Sequence, residues 1–239
     1  MEHLKSILFI DIETVPVFHS FSGLSDALKK EWIRKAGTLK HVAPENADPA
    51  DLFTEKAGVF SEFAKVIVIG IGSLYQLNGA WKMRLKALMG DDETGLLIEF
   101  SQVLERFAKQ HSDFRFCGHN IKEFDIPFLC RRMVINGLPL PFSMQLYGKK
   151  PWEVTHLDTL ELWKYGDYKN FTSLSLLATV LGIPSPKSDI DGSMVAGVYW
   201  EENDLARIGK YCLQDVLTSA KVYLKVAGIY DIDIEPAYV

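Results

Sequence analysis

Apolar positions along the chain fall into two patterns, short unbroken runs and stripes of helical period. Ile7, Leu8, Phe9 and Ile10, with Ile12, form a run over 7–12 that reads as a buried strand ended by Pro16. Residues 65–76 are rich in Val, Ile and Gly and predict a central strand. Asn78-Gly79 is a strong hairpin signal, which makes 80–88 its antiparallel partner. Residues 114–118 and 154–160 read as two further strands. Helical spacing appears over 24–37, stopped by Gly37, and over 93–110, capped by Asp91 or Asp92. It recurs over 124–136, over 171–181 up to Gly182, and over 203–226. Residues 44–58 read as a loop and a short helix after Pro49, and 185–193 as a polar loop.

This order implies an α/β fold with one mixed sheet and helices on its faces. It predicts a single domain over 1–239, with about 16–60 as a polar, partly helical insertion on the surface. Composition agrees with a globular chain: 48% of the 239 residues are hydrophobic and 24% charged, which excludes disorder. Lys plus Arg is 26 and Asp plus Glu is 31, a net charge of −5 that argues against holding nucleic acid by global charge alone. Three widely spaced cysteines do not make a disulfide scaffold, and they form no zinc-like pattern with the histidines. No apolar run is long enough to span a membrane. The N-terminal run carries acids and does not resemble a signal peptide, so the cytoplasm is the expected compartment. A Gly-rich phosphate loop is missing, so ATP use is not expected.

Asp11 and Glu13 lie two apart in the first strand and share a face, roughly 6–7 Å apart along the backbone. Two carboxylates on a buried face repel each other and are costly to desolvate, so a compensating divalent cation is implied unless both acids face water. Asp125 opens a helix after a short strand, where it either complements the helix dipole or serves a site. Tyr211 and Asp215 are four apart on the last helix and share a face, beside the apolar stripe of Cys212 and Val216. Each is ambiguous alone.

Together they form three ordered motifs: Phe9-Ile10-Asp11-Ile12-Glu13-Thr14, Asn120-Ile121-Lys122-Glu123-Phe124-Asp125 and Tyr211-Cys212-Leu213-Gln214-Asp215. The set resembles the DEDD superfamily of 3′–5′ exonucleases, in the subclass with tyrosine in the third motif. It is most similar to stand-alone predicted exonucleases related to the exonuclease domain of family B DNA polymerases. The resemblance implies a ribonuclease H-like fold, a five-stranded mixed sheet with helices on both faces. It implies two divalent ions, Mg²⁺ or Mn²⁺, held by Asp11, Glu13, Asp125 and Asp215. Asp11 is shared between the ions, Glu13 and Asp215 complete one site, and Asp125 supports the other. Tyr211 is implied to orient the attacking water.

The substrate implied is the 3′ end of a single-stranded nucleic acid, DNA in the first reading and RNA in the alternative. A silent nucleic-acid-binding module is the reading from a different class. Ile12 and Thr14 flank the acid pair and Asn120 and Phe124 belong to the second motif, which makes them candidate substrate contacts; Phe124 reads equally as core. Asp158 reads as a helix N-cap or as support for the metal site. Lys122, Lys149, Lys150, Lys169 and Lys187 are candidate phosphate contacts. Tyr147, Trp152, Trp163, Tyr165 and Tyr168 interleave with them, and at this spacing several are expected in the core.

Overall fold

β1 (Ile7–Pro16) is the axis of the fold in the computed structural model, which describes residues 1–39, 47–167, 171–184 and 189–239. β2 (Ala64–Leu77) runs antiparallel to β1, with Asp11 opposite Gly70 and Glu13 opposite Val68. The register shifts between Glu13 and Thr14, a bulge directly after the acid pair. β3 (Ala80–Met89) returns through Asn78-Gly79, whose φ angles of 53° and 81° suit the hairpin turn. β4 (Arg115–Gly118) and β5 (Leu157–Asp158) extend the sheet in parallel on the other side of β1.

A sixth strand, β6 (Ile234–Tyr238), pairs in parallel with β3 and gives the order β5-β4-β1-β2-β3-β6. The sheet therefore has six strands where five were expected. Only Ile234 in this strand is buried, and Glu235 and Pro236 follow it, so no apolar pattern marks it. Backbone pairing and a Lys82–Glu235 ion pair at 2.9 Å hold it, and proline is tolerated at an edge. The strand expected over 154–160 shortens to two residues because Asp158 turns the chain into a helix.

The helices are α1 (Asp26–Ala36), α2 (Pro49–Lys56), α3 (Glu93–Gln110), α4 (Asp125–Ile135), α5 (Thr159–Lys164), α6 (Leu174–Val180), α7 (Val195–Gly197) and α8 (Leu205–Val226). α7 runs on into a π-helical turn, Val198–Glu202. Strand alternation sorts β1 between two cores. Leu8, Ile10 and Ile12 pack with Leu97 and Phe100 of α3 and Phe128 and Leu129 of α4. Ile7 and Phe9 pack with Leu213, Val216 and Ala220 of α8. Asp11 and Glu13 continue the second series, so the acid pair faces α8.

The 16–60 stretch reads as polar but holds a small core of its own. Trp32 of α1 packs edge-on against Phe53 of α2 and against Phe63, and its Nε1 donates to the Pro49 carbonyl at 2.7 Å. A buried ion pair joins the second layer to the sheet. Arg132 of α4 grips Glu93 of α3 through two hydrogen bonds of 2.8 and 2.6 Å. Glu93 also accepts from the Val66 amide at 2.8 Å and from the Asn136 side chain at 3.0 Å. Among the described residues no helix is long and apolar enough to cross a membrane.

Candidate active site

The site forms where β1, α8 and the start of α4 meet. α8 can approach because β2 presents bare backbone: a Cβ on Gly70 would lie 2.7 Å from Cys212 Sγ and 3.0 Å from Val216 Cγ2. Gly70 stands opposite Asp11, so the stripe of Cys212 and Val216 settles on the sheet beside the acid pair. Tyr211 and Asp215, flanking that stripe, are carried to the same place. Cys212 Sγ donates to Asp11 Oδ2 at 3.3 Å. Ligand atoms of Asp11, Glu13 and Cys212 all lie within 4.8 Å of one another.

Asp125 arrives from the other layer. The β1–β4 pairing ends at Phe9 and Cys117, which leaves the Ile12 amide beyond the last paired position. That amide donates to Asp125 Oδ1 at 3.0 Å. The segment leading to Asp125 is held by Asp158, whose carboxylate accepts from the amides of Asn120 and Lys122 at 2.9 and 3.0 Å. The same carboxylate caps α5 through the Leu160 amide at 3.0 Å. Asp158 is thus an N-cap that also fixes the turn before Asp125. Gly118 is required at this crossing, because a Cβ there would meet the Ile10 carbonyl oxygen at 2.5 Å.

The electrostatics follow from burial. Glu13 is 8% exposed and Asp125 3%, and Asp11 and Asp215 are half-buried. Burial first, then the neighbouring carboxylates, holds Asp11 and Glu13 well above the usual range. Burial raises Asp125 to about 7, against the pull of its amide hydrogen bonds. Burial raises Asp215 to about 6, opposed by the Tyr211 hydroxyl. The phenol of Tyr211 is pushed up by burial and by Asp215, Glu13 and Asp11, so it stays protonated at neutral pH. Among the described residues no Lys, Arg or His forms an ion pair with these four acids. Apart from the Cys212 thiol, which burial keeps protonated, the donors are carboxylate oxygens. Such a set fits hard divalent cations.

The remaining candidates divide. Ile12 buries its side chain in the core and gives its amide to Asp125. Thr14 donates its hydroxyl to the Gly58 carbonyl at 2.7 Å. Asn120 adopts a left-handed φ of 63°, and its Oδ1 is buried without a hydrogen-bond partner. Phe124 packs against the core, with its ring 5.3 Å from that of Phe128. Lys122 pairs with Glu161 at 2.6 Å. Lys169, Lys187 and Tyr168 lie outside the described residues. The interleaved aromatics correct the expectation of a core role: Tyr147, Trp152 and Tyr165 are 96%, 76% and 79% exposed, and Trp163 alone of the described set is half-buried. Helical spacing places Cys212 in an apolar stripe, and only its position next to Tyr211 signals in the sequence that its thiol lies at the site.

The order of β1 to β5, with an antiparallel second strand and helices on both faces, defines the ribonuclease H-like class of fold. The family B DNA polymerase from the hyperthermophilic archaeon Pyrobaculum calidifontis has a similar structure, with a TM-score of 0.54 and 15% identity. The match covers 92% of this chain and 24% of the polymerase chain, so this chain spans about a quarter of that protein's length; the likeness is one of fold. The chain belongs to the family of predicted 3′–5′ exonucleases related to the exonuclease domain of PolB, whose model matches residues 60–233. That match includes Asp125, Tyr211 and Asp215. Asp11 and Glu13 precede it and join them through the pairing of β1 with β2. No curated protein matches the sequence significantly.

Proposed function

We propose that the chain is a metal-dependent 3′–5′ exonuclease that removes nucleoside 5′-monophosphates from the 3′ end of single-stranded DNA. One observation carries this reading. Four carboxylates from three distant segments converge without a basic partner among the described residues, in a member of an exonuclease family. Asp11, Glu13 and Asp215 would hold one ion, and Asp11 with Asp125 would hold the other. Two divalent ions, Mg²⁺ or Mn²⁺, would supply the positive charge that offsets the acids and stabilises the oxygens of an in-line displacement at phosphorus.

The chain's own groups do the rest. Tyr211 keeps its proton and hydrogen-bonds the attacking water, orienting its lone pair toward the phosphorus. The water oxygen bonds to phosphorus as the P–O3′ bond breaks; the water gives a proton to solvent and the 3′ oxygen takes one up, so the phosphate leaves with the terminal nucleoside. Asp158 acts through the turn it anchors and sets where Asp125 stands. In this reading 1–239 is one exonuclease domain, and the small core of 16–60 is an accessory element of it.

The test is gel-resolved digestion of a 5′-labelled single-stranded DNA and a matched RNA. Each is run with Mn²⁺, Mg²⁺ or EDTA, beside Asp11→Asn. A metal-dependent ladder shortening from the 3′ end of the DNA, missing in the variant, is the expected result. A ladder on RNA alone would reassign the substrate. Intact strands in every lane would remove the enzyme reading.

A further inference from the structure

The segment between α4 and β5 carries side chains that the carboxylate site does not use. Tyr147 is almost fully exposed and Trp152 about three-quarters exposed. Burying a ring of this size stabilises a fold by roughly 1.5–3 kcal/mol, so two rings left out within one short stretch mark a surface that awaits a ligand. Lys149 and Lys150 stand between them. Both are exposed, and among the described residues neither pairs with an acid. Lys150 Nζ lies 5.2 Å from the Trp152 ring centroid, which keeps charge and ring together. Gly148, at a φ of 77°, turns the chain between Tyr147 and the lysines. In a molecule of net charge −5, this is a local stripe of the opposite sign.

A trough of about 380 Å³ runs beside the stripe, lined by Lys149 and Pro151 and by Asn120, Lys122 and Glu123. Those last residues form the turn that precedes Asp125. Lys164 also lines the trough, and Lys122 there is paired with Glu161.

We propose that residues 147–152 are a stacking platform for a single-stranded nucleic acid whose 3′ end lies at the carboxylate site. Tyr147 and Trp152 take the faces of bases several nucleotides upstream, and Lys149 and Lys150 take the intervening phosphates. Aromatic faces stack any base, so the platform grips without reading sequence. It rejects duplex, whose bases already stack on one another. The proposal deepens the exonuclease reading and rests on it for the direction of the strand.

The test separates the two. Binding of fluorescein-labelled dT20 is followed by anisotropy in EDTA, where no hydrolysis occurs. Hydrolysis of dT20 and of thymidine 5′-(p-nitrophenyl phosphate), which is too small to reach the stripe, is followed in Mn²⁺. For Tyr147→Ala/Trp152→Ala, the expected result is a Kd for dT20 weakened at least about tenfold, in line with the loss of base–ring stacking. KM for dT20 rises in parallel, and turnover of the small ester stays within twofold. For Lys149→Ala/Lys150→Ala, the log–log salt slope of dT20 binding falls by about 1.4, as two lost phosphate contacts require. An unchanged Kd in the ring variant, or equal wild-type affinity for duplex, overturns the platform. If neither substrate is hydrolysed by wild type but the ring variant still loses dT20, the platform stands and the exonuclease reading fails. Equal loss on dT20 and the small ester would assign the rings a structural role and overturn the proposal.

Discussion

Glu93 and the acids around Asp11 are buried carboxylates that the fold treats in opposite ways. Glu93 is matched on every side: Arg132 grips both its oxygens, and Asn136 and the Val66 amide take the remaining lone pairs. The group around Asp11 receives two amides, from Ile12 and from Asp125 itself, one thiol and the Tyr211 hydroxyl. Both lie near β2, so burial alone does not distinguish a structural acid from a functional one. Compensation does. A carboxylate that the fold neutralises serves stability, and carboxylates that the fold crowds together without cations hold a place for something else.

The comparison breaks most visibly at Asp11. Asp11→Asn is expected to lower kcat in Mn²⁺ by at least about 10³-fold, roughly 4 kcal/mol of barrier. The same variant should raise the melting temperature of the metal-free protein, because one of the repelling charges is gone. Activity close to wild type would remove the metal reading. Arg132→Met should do the reverse. It strands Glu93 as a buried unpaired charge and is expected to cost about 3–5 kcal/mol, roughly 10 °C in thermal unfolding, with the activity of the folded fraction retained.

The pH response sharpens the contrast. Asp125 and Asp215, at about 7 and about 6, are held above the ordinary carboxylate value of 3.8, so the fold favours their neutral forms. The stability this contributes is full below pH 4 and is lost as pH rises through 6 to 7. Metal-free protein should therefore lose stability between pH 4 and pH 8 through these acids, and Mn²⁺ at pH 8 should restore it. His156 works against them. Burial lowers it to about 4, so its contribution is lost as pH falls from 6.5 toward 4. Denaturant midpoints across this range for wild type and Asp125→Asn separate the two, since the variant loses the Asp125 part and keeps the whole His156 part. The smallest effect is at Tyr211. Tyr211→Phe should reduce turnover roughly 10–100-fold while Mn²⁺ affinity, measured by calorimetry, stays the same. A large loss of metal affinity would mean that the phenol holds the site together.

Much of this was legible in the sequence because it rests on period and order. The spacing of Asp11 and Glu13 in an apolar run placed both on one face, and Tyr211 and Asp215 shared a helix face for the same reason. Three features were not legible. β6 has one buried residue, and its pairing depends on β3 lying open at the edge. The core around Trp32 is assembled by two helices that each look polar alone. The exposure of Tyr147 and Trp152 depends on which neighbours fail to cover them, and spacing does not report that. Asp158 could be read as a cap, but its second hold on Asn120 and Lys122 spans 38 and 36 residues and needed the fold.

The contact between Cys212 and Asp11 closes a loop of 201 residues. A chain synthesised at roughly 5–20 residues per second carries its first two acids for roughly 10–40 s before the last helix exists to meet them. During that time the nascent chain holds only part of its carboxylate cluster.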